Sequence, residues 1–157
     1  MNNPQYMSGT GNNFLVSEYE NTKTDIEIIS IVADSLFDID GVIFVEKIDT
    51  LTVKMHYYNS DGSTAELCVN GIRCVAKYAL DNSIIDSNEV TVVAPIGNIK
   101  TNIKENTVSI EVSTPSYEEN KLLIDGLECI KSNIGNPHLL VEVENVDKFD
   151  LEKFVQK

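Results

Sequence analysis

The stretch DGSTAELCVNGIRC, residues 61–74, combines a polar turn, two cysteines and the only arginine of the chain. Cys68 comes about one residue before the predicted start of a helix. The free N–H groups of a first helical turn stabilise negative charge, through the helix dipole and through hydrogen bonds. The pattern therefore makes Cys68 a candidate acid/base thiol, with a pKa expected below the ordinary value of about 8.5.

The same helix end could also bind a ligand. The N–H groups of Val69, Asn70 and Gly71 are candidates for holding a substrate carboxylate. Gly71 has no side chain to block a ligand that approaches the backbone. On spacing alone, a packed cysteine or a cysteine next to an N-cap is the favoured interpretation of Cys68, ahead of an acid/base thiol.

The other two cysteines fit packing roles. Cys74 lies more than about one and a half helical turns beyond Cys68, among apolar neighbours. Cys129 alternates with Leu127 and Ile130 in a predicted strand. Both are predicted to be small buried hydrophobic residues.

Several familiar motifs are excluded. The segment GTGNNF (9–14) lacks the third glycine of a dinucleotide fingerprint and precedes a predicted strand. The segment NSDGSTAE (59–66) lacks the sixth-position glycine of a calcium loop. His56 and His138 lie far from the cysteines in sequence, which is not a zinc pattern. The sequence therefore predicts no metal site.

The elements that must position these residues can be read from periodicity. Strands are predicted at 14–19, 41–48, 51–59, 89–95, 98–104, 107–113, 122–132 and 138–144, with helices at 24–37 and 68–81. Thr24 and Glu27 form a capping box at the first helix. The predicted apolar face of this helix consists of Ile28, Ile29, Val32, Ala33 and Leu36. The predicted apolar face of the second helix consists of Ile72, Val75, Ala76, Ala79 and Leu80. Many strands and few helices in mixed order predict an α+β fold.

The domain organisation is predicted to be uneven. Residues 1–114 form the first domain, and the segment after Pro115 reads as a linker. Two strands and the opening of a helix are too little to close a core, so residues 115–157 are predicted to begin an incomplete second domain. We therefore expect the N-terminal part of a longer polypeptide. The alternative is that the C-terminal piece packs onto the first domain.

Composition limits the possible partners. The 157 residues are 42% hydrophobic and 24% charged, which predicts a buried core. A net charge of −13 argues against binding to nucleic acid or to anionic membranes. No apolar run approaches the roughly 18 residues of a membrane span, and the N-terminus lacks a signal-peptide pattern. An odd count of three cysteines predicts free thiols in the reducing cytoplasm.

Four segments together resemble the diaminopimelate epimerase family. They are MSGTGNNF (7–14), DIDGVIFVE (38–46), YNSDGSTAELCVNGIRC (58–74) and NIGNPH (133–138). The first segment resembles the family's Gly-x-Gly-Asn-Asp-Phe start, and the second its Asp-Gly strand. The third contains both the Asn-x-Asp-Gly-Ser turn and the counterpart of Cys-Gly-Asn-Gly-x-Arg-Cys, and the fourth matches Gly-Asn-Pro-His. The resemblance implies two similar α/β domains, each a sheet wrapped round a central helix, with the site between them.

The resemblance also implies a mechanism without a cofactor. One cysteine from each domain lies at the N-terminus of its central helix. One, as thiolate, removes the Cα proton of LL-diaminopimelate, and the other, as thiol, returns a proton on the opposite face. The meso product serves lysine and peptidoglycan synthesis. Such an enzyme takes a small amino-acid substrate.

The family motifs imply roles for individual residues. Cys68 is the first catalytic cysteine, and His138 helps to set the protonation of the cysteines. The residues implied to bind substrate are Asn12, Asn59, Val69, Asn70, Gly71 and Asn136. Without the family pattern, Asn12 and Asn59 would be turn residues with positive φ. Asn136 would form a turn with Pro137, and His138 would be a surface histidine.

The sequence departs from the family pattern at several positions. Val69 stands where the family has glycine, and its β-branched side chain could narrow the pocket or block a glycine-only conformation. Asn13 replaces the usual aspartate, and the Gly-x-Gly approach to Asp40 is missing. The family's second catalytic cysteine would fall beyond Lys157. Two alternatives stay open: a racemase of another amino acid, or an inactive binding module that pairs as a homodimer.

Overall fold

The computed structural model describes residues 1–64, 68–135 and 137–155. The chain divides into two compact units, Met1–Val112 and Ser113–Lys157. None of the helices in the described part of the chain has the length and hydropathy of a membrane-spanning helix.

The described residues of the first unit form one seven-stranded mixed sheet and two helices. Its strands are β1 (Asn2–Gly9), β2 (Asn12–Glu18), β3 (Gly41–Lys47), β4 (Thr52–Asn59), β5 (Glu89–Ala94), β6 (Gly97–Lys104) and β7 (Thr107–Ile110), and its helices are α1 (Asp25–Ala33) and α2 (Val69–Asp81). The strands lie in chain order across the sheet. The pairs β2–β3 and β4–β5 are parallel and the others are antiparallel. The predicted α+β class is confirmed.

Strand β3 shows why both faces of the sheet are covered. Successive side chains of a strand point to opposite faces. Val42 and Phe44 pack with Ile28 of α1, whereas Ile43 and Val45 pack in the cluster that contains α2. A strand buried on both sides needs the continuous apolar run that the sequence supplies.

Helix α2 is the central element of this unit. It contacts all seven strands, so the sheet wraps round it. Of its predicted apolar face only Leu80 is partly exposed; Ile72, Val75, Ala76 and Ala79 are buried. Tyr78 is also fully buried, and its hydroxyl donates a hydrogen bond to the carbonyl oxygen of Asn3 at 2.7 Å. Cys74 is only 4% exposed, which confirms its packing role.

Helix α1 is shorter than predicted. The capping box of Thr24 and Glu27 is confirmed. The helix ends at Ala33, so Leu36 lies beyond it and is 84% exposed. Ile29 is 48% exposed, since it follows the fully buried Ile28 by one residue and points about 100° away from that face.

Strand β1 was not predicted from the sequence. It is polar and contains Pro4, which a sheet tolerates at its edge because an edge strand leaves N–H groups unpaired. Its hairpin with β2 turns through Thr10 and Gly11, which both have positive φ, 51° and 94°. This turn brings the start of β2 next to the end of β1.

The second unit contains a four-stranded antiparallel sheet. Its elements are β8 (Ser116–Tyr117), β9 (Leu122–Ile124), β10 (Leu127–Asn133), β11 (Pro137–Val141), a 3-10 turn (Val146–Lys148) and α3 (Leu151–Val155). The predicted strand at 122–132 is wrong as a single strand, because Asp125 and Gly126 have positive φ and turn the chain. Cys129 on β10 is fully buried, as predicted.

Candidate active site

The candidate site lies where three strand ends of the first unit meet the start of α2. Gly41, at the start of β3, pairs with Asn59 at the end of β4. Asn12 begins β2, and its side-chain amide donates to a carboxylate oxygen of Asp40. Asn70, in the first turn of α2, donates to Asn12 at 2.9 Å. The fold therefore gathers residues from distant parts of the chain around the helix end.

Cys68 is the N-cap residue of α2. Its half-buried Sγ accepts a hydrogen bond from the N–H of Gly71 at 3.4 Å. The side chain thus faces the helix amides, the position from which a thiolate would be stabilised. The predicted placement of Cys68 at the helix start is confirmed.

The predicted direction of the Cys68 pKa is wrong. Burial raises the pKa of the Cys68 thiol above its ordinary value, and the charge of Asp40 raises it further. Hydrogen bonds from the N–H groups of Gly71 and Asn70 lower that pKa, but they do not outweigh the loss of solvent. In this structure Cys68 is therefore a thiol at neutral pH.

Gly71 is required for packing as well as for access. A Cβ on Gly71 would lie 2.8 Å from Cε of Met55 and 3.1 Å from Sγ of Cys68. Glycine therefore lets the first turn of α2 approach β4 closely. Contacts within the protein are therefore sufficient to explain the glycine at position 71.

Val69 does not occupy a glycine-only conformation. It is the first residue of α2, its side chain is half-buried, and it is not among the described non-glycine residues with positive φ. The backbone here accepts a β-branched residue without strain. Any effect of Val69 must therefore come from its side chain.

Asn12 and Asn59, the two asparagines of the first unit whose alternative role was a turn, are not left-handed turn residues. Neither Asn12 nor Asn59 is among the described residues with positive φ. Asn12 accepts from Asn70 and donates to Asp40, while Asn59 donates to Oγ of Ser63 at 2.9 Å. Both side chains are held at strand ends by hydrogen bonds, as a binding role requires.

Tyr57 lies in the site although no motif pointed to it. Its hydroxyl donates a hydrogen bond to Oδ1 of Asn59 at 2.7 Å. Burial raises the pKa of Tyr57 to about 12, and the negative charge that Cys68 carries once it ionises at high pH contributes to that rise. Tyr57 is therefore a neutral donor that fixes the orientation of the Asn59 amide. The alternation of β4, which places Tyr57 on the same face as buried Met55, was the available signal.

Gly41 makes room for this tyrosine. A Cβ at Gly41 would lie 2.5 Å from the carbonyl oxygen of Tyr58 and 2.6 Å from Cε2 of Tyr57. The Asp-Gly pair of this segment thus has two separate functions. Asp40 accepts hydrogen bonds from the start of β2. Gly41 leaves the space that the Tyr57 ring occupies.

Two predicted site residues belong to the second unit or fall outside the described residues. His138 lies on β11 and is exposed. Asn136 lies outside the described residues. The roles of both stay predictions.

Asp40→Asn is expected to lower the pKa of Cys68, because it removes a negative charge that disfavours the thiolate. The thiolate is the form that reacts, so iodoacetamide should alkylate Cys68 faster at any pH below its pKa. Trypsin cleaves after Arg73, which separates Cys68 from Cys74 in the peptide map. The rate of Cys68 alkylation against pH therefore gives this pKa directly.

Asp49→Asn provides the matched control. Asp49 lies at the other end of the β3–β4 pair from Gly41 and Asn59. Its substitution should leave the pH profile of Cys68 unchanged. An unchanged profile in Asp40→Asn would contradict the electrostatic role of Asp40.

The family model and the curated relatives point to one family. The family model described as diaminopimelate epimerase matches residues 5–118. A diaminopimelate epimerase of Thermotoga maritima is 37% identical over 150 residues, which cover 93% of this chain and 61% of that protein. One of Agathobacter rectalis is 34% identical over 182 residues, which cover 94% of this chain and 63% of that protein. The chain thus spans about three-fifths of these relatives.

Solved structures show the same fold at low sequence identity. A Bacillus anthracis phenazine biosynthesis protein of the PhzF family is similar with a TM-score of 0.68 and 14% identity, over 90% of this chain and 55% of that one. A hydroxyproline epimerase from Agrobacterium vitis, with bound trans-4-OH-L-proline, gives a TM-score of 0.67 at 14% identity, over 93% of this chain and 53% of that one.

Proposed function

This chain belongs to the diaminopimelate epimerase family, and from this we propose that it supplies one side of a site that inverts the α-carbon of diaminopimelate without a cofactor. The observation that carries the proposal is the position of Cys68. Its Sγ caps α2, and Asn70 in the first turn of that helix donates a hydrogen bond to Asn12 at the start of β2.

The chemistry explains why a helix end is suitable. The Cα–H of an amino acid is a very weak acid, and no pyridoxal is needed in this scheme to delocalise the carbanion. The charge must instead be stabilised through the α-carboxylate by donors that are already in place. The N–H groups of Val69 and Asn70 lie in the first turn of α2, where amides have no carbonyl acceptor within the helix. In the free protein the Asn70 N–H interacts with the Cys68 sulfur, and in this proposal a bound α-carboxylate replaces or shares that contact. We assign both N–H groups to the α-carboxylate.

Cys68 is proposed to act as the proton donor in one direction. A base on one face removes the Cα proton, and the electron pair passes into the α-carboxylate. The Cys68 S–H then donates its proton to the opposite face and becomes a thiolate. In the reverse direction the thiolate removes that proton. The raised pKa of Cys68 in the free protein suits this role, because the thiol then stays protonated and can act as the proton donor.

The base on the other face is proposed to be a second cysteine, as the family resemblance implies. Cys74 is 4% exposed and Cys129 is fully buried, so neither is suited to meet a substrate. The proposal therefore assigns the second thiol to a position other than these. We expect this chain alone to catalyse inversion slowly.

The proposal is tested by two measurements on the 157-residue chain. Diaminopimelate should slow alkylation of Cys68 by iodoacetamide, because the bound substrate would cover Sγ. In D₂O, deuterium should enter the α-carbon far more slowly than with the Thermotoga maritima relative under the same conditions. Absence of any protection would contradict the assignment of Cys68. Equal exchange rates would contradict the need for a second cysteine.

A substrate panel separates the remaining alternatives. Val69 differs from the family residue, so proline and histidine should be compared with diaminopimelate in the same protection measurement. Protection by one of these amino acids in place of diaminopimelate would favour a racemase of another substrate. Lack of protection by any of them would favour the binding-module alternative.

A further inference from the structure

Arg73 lies one turn after the start of α2 and makes two hydrogen bonds from a single nitrogen. Its Nη1 donates to Oδ1 of Asn70 at 2.8 Å and to Oγ1 of Thr10 at 3.1 Å. Residues 70 and 73 are neighbours on the helix surface because three residues nearly complete a turn. Arg73 therefore connects the first turn of α2 with the β1–β2 turn.

The hydrogen bonds continue from Asn70 to the start of β3. Nδ2 of Asn70 donates to Oδ1 of Asn12 at 2.9 Å, and Nδ2 of Asn12 donates to Oδ2 of Asp40 at 3.3 Å. The same Oδ2 accepts the backbone N–H of Asn13 at 2.7 Å, which fixes the carboxylate. We name this chain of four side chains, Arg73–Asn70–Asn12–Asp40, the amide relay.

The two ends of the amide relay determine the direction of every bond in it. A guanidinium can only donate hydrogen bonds, so Asn70 must present its oxygen to Arg73. An ionised carboxylate can only accept, so Asn12 must present its nitrogen to Asp40. The central bond, from the nitrogen of Asn70 to the oxygen of Asn12, agrees with both ends. Reversal of either amide would face two donors or two acceptors toward each other.

This direction restricts what Asn12 can offer to a ligand. Its Oδ1 is engaged by Asn70, and one of its two Nδ2 hydrogens is engaged by Asp40. Within the described residues, no second acceptor for the Asn12 amide nitrogen is present. The remaining hydrogen is a donor, which matches a carboxylate oxygen of a ligand and does not match an ammonium group.

We propose that Arg73 and Asp40 are positioning residues, which orient the Asn12 amide so that it donates an N–H to a carboxylate oxygen of the substrate. The inference rests on the proposed function for the identity of the substrate. The orientation itself is a property of the free protein. It can be measured without turnover.

The orientation is tested by NMR of the isotope-labelled chain. A through-hydrogen-bond coupling is expected between Nδ2 of Asn70 and Cγ of Asn12 in the unsubstituted protein. In Arg73→Met, the side-chain amide signals of Asn70 and Asn12 should shift. Their hydrogens should exchange with solvent about fivefold faster or more, since a donor that held the first amide is lost. Asn12→Asp and Asn70→Asp assign the signals.

Conservative variants separate hydrogen bonding from charge. Arg73→Lys keeps a donor and should restore part of the amide pattern. In Asp40→Asn, the new amide oxygen can accept the two hydrogen bonds that Asn12 Nδ2 and the Asn13 N–H donate to Oδ2 of Asp40. The NMR signals of the Asn12 amide should therefore stay close to their original positions. Absence of the coupling in the unsubstituted chain would overturn the proposal. So would unchanged amide signals in a folded Arg73→Met.

The substrate arm measures binding and uses Lys77→Met as control. Lys77 is the next cation on α2, four residues after Arg73, and pairs with Asp81. Arg73→Met should raise the diaminopimelate concentration for half-protection of Cys68 about tenfold, the loss expected for one hydrogen bond to a charged group. Lys77→Met should change it less than about twofold, and equal effects would overturn the substrate part.

The two arms also keep this inference distinct from the proposed function. If the unsubstituted chain shows no protection by diaminopimelate, the proposed function fails, and the amide measurements still decide the orientation. If protection is found but Arg73→Met leaves both arms unchanged, the positioning role fails, and the proposed function stands.

Discussion

Cys68→Ser is expected to reduce deuterium incorporation at the α-carbon of diaminopimelate by at least about 100-fold, the lower range of a general acid–base contribution. A serine hydroxyl is a far weaker acid than a thiol and cannot store and return the proton near neutral pH. Serine is also a good N-cap residue, so it can replace Sγ as the acceptor of the Gly71 N–H. The substitution therefore removes the chemistry and keeps the start of α2.

The exchange rate is measured by mass spectrometry after long incubation in D₂O at high protein concentration. Cys74→Ala is the matched control, because it removes a buried thiol of the same helix that faces the hydrophobic core. It should keep the exchange rate within a few-fold, with a modest loss of stability from the small cavity. Exchange in Cys68→Ser equal to that of the unsubstituted chain would show that Cys68 is not the acid/base group.

The start of α2 could be predicted because its signals are local. A polar turn precedes Cys68, and the apolar residues that follow recur at helical spacing. The capping box of α1 was predictable for the same reason, since Thr24 and Glu27 are three residues apart. Signals of this kind place a thiol at a helix N-terminus without any knowledge of the fold.

The environment of that thiol could not be predicted in the same way. Its pKa direction depends on burial and on Asp40, which the fold brings near from 28 residues away. Sequence periodicity predicts the helix whose amides lower the pKa of Cys68. It does not predict how far the sheet shields the thiol from solvent. The expectation from the helix dipole alone was therefore wrong in sign.

Tyr57 and the amide relay were missed for a related reason. The bond between Asn70 and Asn12 joins residues 58 positions apart, and that between Asn12 and Asp40 joins residues 28 apart. Strand β1, which leads into Asn12, is polar and contains Pro4, so its sequence does not resemble a core strand. Residues that act through such long-range hydrogen bonds become visible only when the strand order is known.

Gly9→Ala is expected to destabilise the first unit and to displace the start of β2 from the site. An added Cβ would lie 2.5 Å from the carbonyl oxygen of Asn70 and 3.1 Å from Sγ of Cys74. The first distance is far too short for a non-bonded contact, so β1 must move away from α2. We expect a loss of about 1–3 kcal/mol in the free energy of unfolding, typical of overpacking. Thermal unfolding should show it as a fall in Tm of roughly 4–8 °C per kcal/mol.

The consequence for the site follows from the hairpin. Gly9 precedes the Thr10–Gly11 turn, so a shift of β1 moves Asn12 away from Asn70. Protection of Cys68 by diaminopimelate should therefore weaken together with the fall in Tm. Gly11→Ala is a useful comparison, because nothing lies within 4 Å of its Cβ position and its cost comes only from the positive φ of 94°. Its expected cost is smaller, about 1 kcal/mol.

A double substitution identifies the atom that causes the conflict. Cys74→Ala removes Sγ from the neighbourhood of Gly9, but the carbonyl oxygen of Asn70 belongs to the helix backbone and stays in place. Gly9→Ala combined with Cys74→Ala should therefore be no more stable than Gly9→Ala alone, because the contact with the Asn70 carbonyl oxygen remains. Recovery of Tm in the double variant would instead place the conflict at the Cys74 side chain. It would also mean that β1 can approach α2 without disturbing its first turn, and the link from Gly9 to the position of Asn12 would then be wrong.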